Sequence, residues 1–173
     1  FPKNLFVFMD DNLIGDREYA KDLFSAIKPL NKYWASQVTV DIGQDEELVE
    51  LAAESGCFGL FLGFDSISNR SLLEAKKRHN LVNYQNTVEL LHKNQIGLIG
   101  GFVFGFDEDV KDNFRETLNF AQDSNLESLV GFYLTPIPGT PLYEKFKKED
   151  RLLTEDFSKY NFRNMVIEPD CLS

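Results

Sequence analysis

Acidic and small polar residues recur in this chain where apolar runs end, and these are the residues whose chemistry points to a ligand. Asp10, Asp11 and Asn12 follow the first apolar run, and Asp65 and Ser66 follow a later one. Paired carboxylates accept hydrogen bonds from an ammonium group or hold a divalent cation. An acid beside a hydroxyl can bond a ribose. The alternative at each place is a side chain that only stabilises a turn or caps a helix.

A glycine-rich strand provides a second kind of candidate. Four glycines stand within residues 97–105, and Gly101, Gly105 and Asp107 lie at or near its end. Glycines weaken a strand unless something approaches the backbone closely. A flat ligand and tight packing of aromatic side chains are the two explanations.

A rigid turn ends the last apolar run. Residues 129–134 are typical of a buried strand, and prolines and a glycine within 135–142 stop both strand and helix. Leu134 and Thr135 therefore stand at a strand end. In folds that repeat strand, polar tip and helix, ligands bind at such ends.

Two charged positions each have a functional and a structural interpretation. Asp41 stands between Val40 and Ile42 in an alternating pattern that predicts a strand, so its side chain faces away from theirs and could point into a barrel. Lys77 belongs to the basic cluster at 76–79, which in an acidic protein could bind a carboxylate or phosphate. The alternatives are an exposed strand aspartate and a solvated helix face.

Composition excludes several classes of function. Eighteen basic against 28 acidic residues give a net charge of −10, which argues against nucleic acid and anionic membranes as partners. Only Cys57 and Cys171 are present, so no zinc site is expected and a reducing cytoplasm is favoured. No apolar stretch is long enough to span a bilayer. Dinucleotide, P-loop and nucleophile-elbow motifs are missing from the sequence.

The elements that must position these residues repeat one unit. Strands are predicted to start near residues 5, 38, 58, 98 and 129, each followed by a helix, and Asp16 and Asp45 are predicted helix caps. Such repetition favours an α/β fold with a parallel sheet, either open or an incomplete barrel. The first strand, at 5–9, is expected to be buried on both faces.

Taken in chain order, the strand ends resemble the radical S-adenosylmethionine superfamily, in the branch whose members often carry a cobalamin-binding domain upstream. The matching stretches are 8–12, 45–48 leading to 55–57, 62–66, 73–80, 101–107 and 135–142. The resemblance implies a partial (β/α) barrel of TIM-barrel type over residues 1–152, lacking strand one, and an irregular extension over 153–173.

The resemblance also implies which residues bind S-adenosylmethionine. Asp10 and Asp11 would receive the ammonium group of its methionine moiety, and Lys77 its carboxylate. Asp65 and Ser66 would lie near the ribose, although the family pattern has Glu where Asp65 stands. The predicted cofactor-binding set is Asp10, Asp11, Asn12, Asp41, Gly63, Asp65, Ser66, Lys77, Gly101, Gly105, Asp107, Leu134 and Thr135.

One departure from the family is decisive. The family holds a four-iron four-sulfur cluster with a CxxxCxxC motif, and this sequence has none. We therefore expect the chain to be the middle and C-terminal part of a longer enzyme that supplies the cluster. If an upstream domain of that enzyme binds cobalamin, methyl transfer or ring formation is the chemistry implied. We expect the isolated chain to bind no iron and to leave S-adenosylmethionine uncleaved. Without strand one, the edge of the 5–9 strand would invite self-association.

The function implied is radical chemistry. The complete enzyme would cleave S-adenosylmethionine and carry out methyl transfer or oxidative cyclisation on an unknown small-molecule substrate. One alternative is a metal-dependent barrel aldolase or hydrolase with Asp10, Asp11, Asp41 and Asp107 as ligands. The other is a non-catalytic α/β module that only binds a ligand or a protein.

Overall fold

The structure is a computed structural model that describes residues 4–74 and 81–170, apart from the side chains of residues 81 and 82. Within those residues, five strands alternate with helices. The strands are β1 Leu5–Val7, β2 Tyr33–Thr39, β3 Cys57–Asp65, β4 Gly97–Phe104 and β5 Ser128–Tyr133. The helices are α1 Arg17–Ile27, α2 Glu46–Glu54, α3 Asn69–Glu74, α4 Leu81–Lys93, α5 Asp112–Asp123 and α6 Pro141–Lys148.

The strands form one sheet in the order β1-β2-β3-β4-β5. Pairing is parallel, and the register sets Val7 beside Ala35 and Ala35 beside Gly59. A helix connects each strand to the next, as parallel neighbours require. The predicted α/β class with a parallel sheet is confirmed.

Local capping chemistry fixes two helix starts as predicted. The Asp16 carboxylate accepts a hydrogen bond from the Tyr19 backbone N–H at 3.1 Å, and Asp45 accepts one from the Leu48 N–H at 3.0 Å. Each bond satisfies an N–H that the first helical turn leaves without a partner.

The predicted second strand is displaced, and Asp41 does not lie on a strand. β2 ends at Thr39, and Val40–Gln44 form a 3-10 turn. Val40 and Ile42 are buried in that turn, so their spacing reflects a helical inner side and not the pleat of a strand. The turn packs closely on α4, because a Cβ on Gly43 would lie 2.1 Å from the Thr87 hydroxyl oxygen.

The first strand is also less buried than predicted. β1 pairs with β2 alone and lies at the edge of the sheet, and both Leu5 and Val7 are about half exposed. An apolar run bounded by polar residues does not distinguish an edge strand from a central one. The expectation of burial on both faces is therefore wrong, while the open edge is present.

The contacts divide the chain into two compact units. The first comprises residues 1–64, 79–101 and 118–130, and the second 65–78, 102–117 and 131–173. In the first, the Trp34 ring stacks on Phe24 at 4.9 Å between centroids, and its N–H donates to the Ser55 hydroxyl at 3.0 Å. A buried tryptophan needs such a partner for its one polar atom.

The second unit has its own core, to which the irregular C-terminal stretch contributes. Phe146 of α6 is fully buried with Val166 and Ile167. Beyond residue 152, the described residues contain only the 3-10 turn Phe157–Lys159 and an isolated bridge between Leu152 and Ile167. Among the helices described here, none has both the length and the apolar character needed to cross a bilayer.

Candidate functional site

A cleft of about 620 Å³ opens on the sheet of the first unit. It is lined by residues 7–11, 35–37, 58–61 and 97–99 together with Glu127. Most of these side chains are apolar, and several stay uncovered: Val7 is 57% exposed and Met9 88%. Exposed apolar surface in a cleft is typical of a binding site.

Two carboxylates stand uncommitted in this cleft. Asp10 and Asp11 are exposed residues of the loop after β1, and both line the cleft. Within residues 4–74 and 81–170, neither forms a hydrogen bond or an ion pair. Each therefore has its full set of acceptor positions available to a ligand.

Asn12, by contrast, holds the same loop in place. Its side-chain oxygen accepts hydrogen bonds from the Thr39 backbone N–H at 3.2 Å and from the Thr39 hydroxyl at 3.4 Å. These bonds tie the loop after β1 to the end of β2. Asn12 thus positions the loop that carries Asp10 and Asp11, and its predicted ligand role stays a prediction.

Asp41 is held by a cation within the first unit. Arg17 donates to the Asp41 carboxylate at 2.8 Å and to its backbone carbonyl at 3.0 Å, and the Thr39 hydroxyl also donates to this carboxylate. Burial opposes ionisation of Asp41, but the Thr39 hydroxyl and Arg17 outweigh it and hold the pKa below its usual value. Asp41 therefore links α1 to the 3-10 turn.

Two glycines of the predicted cofactor-binding set, Gly63 and Gly101, differ in the atoms that surround the place where a Cβ would lie. Among the described residues, a Cβ on Gly63 would meet no atom within 4 Å. A Cβ on Gly101 would lie 2.4 Å from the tip of the Phe61 ring, which covers that glycine. Gly63 therefore leaves open space, whereas aromatic packing explains Gly101.

Glu127 closes the β4 side of the cleft and was not predicted. Its carboxylate accepts a hydrogen bond from the Leu98 N–H at 2.6 Å and lies 3.5 Å from the His92 ring nitrogen. Burial favours the neutral acid, yet the Leu98 N–H and His92 lower the pKa of Glu127 overall. The sequence does not predict these contacts of Glu127, because its partners Leu98 and His92 are distant in the chain.

In the second unit, Asp65 and Ser66 form the turn after β3. Asp65 has a left-handed backbone with φ of 62°, an uncommon conformation for a residue other than glycine. The buried Ser66 hydroxyl accepts a hydrogen bond from the Ser68 N–H at 3.0 Å. Ser66 thus stabilises the turn into α3, the alternative considered for it.

Asp107 is bound on two sides by cations. Lys145 lies 3.0 Å from one carboxylate oxygen, and Arg151 contacts both oxygens. The Arg151 hydrogen bond outweighs burial and, with Lys145, lowers the pKa of Asp107 to about 2. Arg151 also lies over the Phe146 ring at 4.7 Å, so this ion pair joins the turn after β4 to the second core.

Asp109 is a buried acid whose role in the structure is to accept hydrogen bonds from three parts of the second unit. It is 2% exposed, and its carboxylate accepts hydrogen bonds from the Gly105 N–H at 2.8 Å and the Phe106 N–H at 3.1 Å. It also accepts one from the Ser71 hydroxyl at 2.7 Å and one from the Asn113 amide at 3.1 Å. A single acid thereby fixes the turn after β4 against α3 and α5.

The remaining predicted residues of the second unit lie together. Gly105 adopts φ of 107°, and a Cβ there would lie 3.7 Å from the Leu134 side chain. The Leu134 N–H donates to the Phe104 carbonyl at 2.8 Å, and the Thr135 hydroxyl to the Tyr133 carbonyl at 3.0 Å. Lys77 lies outside the described residues.

The described residues do not fit a metal centre. No group of three His, Cys, Asp or Glu side chains able to hold a metal ion occurs among residues 4–74 and 81–170. Cys57 is buried, and burial raises the pKa of its thiol to about 12, which keeps it protonated. An iron–sulfur cluster needs several thiolates, and Cys57 is the one cysteine among the described residues.

Comparison with known proteins was made by sequence and by structure. No model of a protein family matches the sequence. The bacteriochlorophyllide d C-12(1)-methyltransferase of Chlorobaculum tepidum is 36% identical over 165 residues, which are 95% of this chain and 36% of that protein. The anaerobic magnesium-protoporphyrin IX monomethyl ester cyclase of Cereibacter sphaeroides is 25% identical over 90% of this chain and 25% of that protein.

Among solved structures, the radical S-adenosylmethionine methyltransferase TsrM from Kitasatospora setae, with cobalamin and a four-iron four-sulfur cluster bound, matches with a TM-score of 0.75. The identity is 16%, over 84% of this chain and 31% of that one, so this likeness shows the fold. The chain spans about a third of the length of the curated relatives it matches. The chain belongs to the radical S-adenosylmethionine superfamily, in its branch of cobalamin-dependent methyltransferases and cyclases.

Proposed function

We propose that this chain provides part of the S-adenosylmethionine site and a substrate cleft of a radical methyltransferase. The observation that carries the proposal is the pair of uncommitted carboxylates, Asp10 and Asp11, beside an open apolar cleft. Both acids are exposed, and no described residue bonds them, so their acceptor positions are available to a cationic ligand group.

Asp10 and Asp11 would bind the ammonium group of S-adenosylmethionine. Both carboxylates are acceptors only, and an ammonium group offers three donors, so the two match in charge and in hydrogen bonding. Asn12 would act indirectly, by holding the loop through Thr39. The open space at Gly63 would admit part of the ligand close to the strand.

For the residues of the second unit, the proposed contacts are those that the family resemblance implies. Asp65 would bond the ribose hydroxyls, and Gly105, Leu134 and Thr135 would flank the adenine. Asp107 would act through the shape of the turn and not by direct contact, because its carboxylate is already bound to Arg151 and Lys145.

S-adenosylmethionine supplies, when bound and cleaved, the reactive group of the reaction. The protein residues named above bind and orient it and exclude water from the cleft. The cluster ligands lie in no described residue, so we propose that this chain alone does not cleave S-adenosylmethionine. A reducing cytoplasm suits both the cluster and the two-cysteine content.

The substrate class is inferred from the relatives. Two of them act, by name, on tetrapyrroles, one as a methyltransferase of a bacteriochlorophyllide and one as a cyclase of magnesium-protoporphyrin IX monomethyl ester. The higher identity of the methyltransferase, 36% against 25%, supports methyl transfer to a tetrapyrrole over cyclisation.

The proposal takes this chain to be part of a longer reading frame, and the test uses that longer protein. The protein is reconstituted with iron and sulfide without oxygen, and its electron paramagnetic resonance spectrum is recorded with and without S-adenosylmethionine. We expect a reduced four-iron signal that shifts on adding the ligand. Absence of a cluster, with no CxxxCxxC motif upstream, would overturn the proposal.

Variants then test the residues. We expect Asp10→Asn combined with Asp11→Asn to require at least tenfold more S-adenosylmethionine for the same spectral shift. Asp22→Asn is the matched control, because Asp22 is an exposed acid on α1 away from the cleft. Equal ligand requirements in both variants would show that the Asp10–Asp11 pair does not bind the ligand.

A further inference from the structure

We propose that the cleft of the first unit selects its ligand by charge, accepting the uncharged apolar face of a ring system and rejecting anionic groups. The inference rests on the proposed function, because it assigns the cleft to the substrate of that enzyme. It goes beyond that function by stating which chemical face of the substrate enters.

Small residues stand at the floor of the cleft on two neighbouring strands, Ala35 on β2 and Gly59 on β3. The register sets Val7, Ala35 and Gly59 side by side on β1, β2 and β3. A Cβ on Gly59 would have only the Gly97 carbonyl oxygen near it, at 3.7 Å. A planar ligand could therefore lie on the backbone at Gly59 without displacing a side chain.

Apolar side chains border this floor. Phe58 is 46% exposed and Ile99 41%, and both line the cleft. Covering such side chains removes apolar surface from water, which favours a large apolar ligand. The volume of about 620 Å³ is within the usual range for a small-molecule site.

Charge in the cleft has one sign. Asp10 and Asp11 stand on the β1 side and Glu127 on the β4 side, and no Lys, Arg or His occurs among the lining residues that the structure describes. A carboxylate or phosphate entering the cleft would face these acids, and among the described residues only His92, 3.5 Å from the Glu127 carboxylate, stands beside one of them as a group that can carry positive charge. A ligand without anionic groups meets no such penalty, and its donor groups can bond the acids.

A second copy of the chain is a poorer occupant of the cleft. It would bring a further net charge of −10 to a surface that already carries three carboxylates. Like charges of this size oppose close association. An apolar ring system carries no such charge and would cover the apolar side chains that border the floor.

The test compares two probes of one shape and different charge. Protoporphyrin IX dimethyl ester is uncharged at its propionate arms, whereas protoporphyrin IX carries two carboxylates there. Binding of each to this chain, without S-adenosylmethionine, is measured by quenching of Trp34, the single tryptophan, which lies next to the floor residue Ala35. We expect the ester to bind at least tenfold more tightly. Equal binding, or tighter binding of the diacid, would overturn the proposal.

Two substitutions test whether the ester binds at the floor of the cleft. Gly59→Leu fills the floor and is expected to weaken ester binding at least tenfold, while Ser25→Leu adds the same group on an exposed face of α1 and is expected to change nothing. An unchanged affinity in Gly59→Leu would place the ester elsewhere and refute the proposal.

A second variant covers the case in which Gly59→Leu does not fold. Ile99→Lys adds a cation at an exposed position of the cleft and is expected to bring diacid binding to within threefold of ester binding. An unchanged preference would again count against charge selection. These titrations involve neither the cluster nor S-adenosylmethionine, so their failure would not contradict the proposed function. Failure of the spectroscopic test, in turn, would not contradict charge selection by the cleft.

Discussion

Two turns of this protein look alike in sequence and differ in their chemistry. The loop after β1 carries Asp10 and Asp11, and the turn after β4 carries Asp107 and Asp109. The first pair is exposed and makes no bond among the described residues, while each acid of the second pair is bound by several donors. The number of donors that the fold brings to each carboxylate therefore separates acids that are available to a ligand from acids that hold the fold.

Burial explains why the second pair must be bonded. A carboxylate removed from water is stable only when hydrogen bonds or cations replace its hydration. Asp109 meets this need with four donors, and Asp107 with Arg151 and Lys145. Asp10 and Asp11 remain hydrated, so they can exchange water for a ligand at little cost.

The sharpest test of this difference removes Asp109. We expect Asp109→Ala to lower the free energy of unfolding by roughly 3 kcal/mol, because two backbone N–H groups and two side-chain donors lose their acceptor in a buried place. Urea denaturation measures the change. Asp11→Ala is the comparison and should stay within about 0.5 kcal/mol of the parent chain. Similar losses of unfolding free energy in the two variants would show that the acids of the two turns do not differ in their structural role.

A smaller effect is expected at Arg151. Arg151→Met removes a partner of Asp107 and should cost about 1 kcal/mol at neutral pH, since Lys145 remains. Arg163→Met, an exposed arginine without an ion-pair partner in the described chain, is the control.

The pH dependence gives an independent check on the same ion pair. The pKa of Asp107 is lowered from 3.8 to about 2 in the folded protein, so the unfolded chain binds more protons between these values. Stability from this group is complete above pH 3.8 and is lost as the pH falls towards 2. We expect a shallower loss over this interval in Arg151→Met. An identical pH profile would show that Arg151 does not set this pKa.

The smallest expected effect is on the first loop. Asp10→Asn should change the free energy of unfolding by less than about 0.5 kcal/mol, because no described residue bonds its carboxylate. A loss above about 1 kcal/mol by urea denaturation would reveal a structural bond and make the two turns equivalent.

Local chemistry was the part of the fold that could be predicted from sequence. Asp16 and Asp45 cap helices because their partners lie three residues away. Strands β3 and β4 begin at Cys57 and Gly97, each one residue before the predicted start, because apolar runs mark them.

Long-range partners could not be predicted. The bond of Asp41 to Arg17 spans 24 residues, and that of Asp107 to Arg151 spans 44. Alternation at 38–42 fits a strand and a 3-10 turn equally, and only burial against α4 decides between them. The open cleft was likewise invisible, because its lining comes from four strands and Glu127.

The buried thiol of Cys57 can be used to measure how often the structure around β3 opens locally. At 6% exposure, and with burial raising its pKa to about 12, this sulfur is shielded from alkylating reagents while β3 stays in the sheet. Modification of the Cys57 peptide, followed by mass spectrometry, therefore advances only as often as the start of β3 detaches. The rate of Cys57 modification thus measures how frequently the start of β3, next to the floor of the cleft, opens, and no label has to be added to the protein.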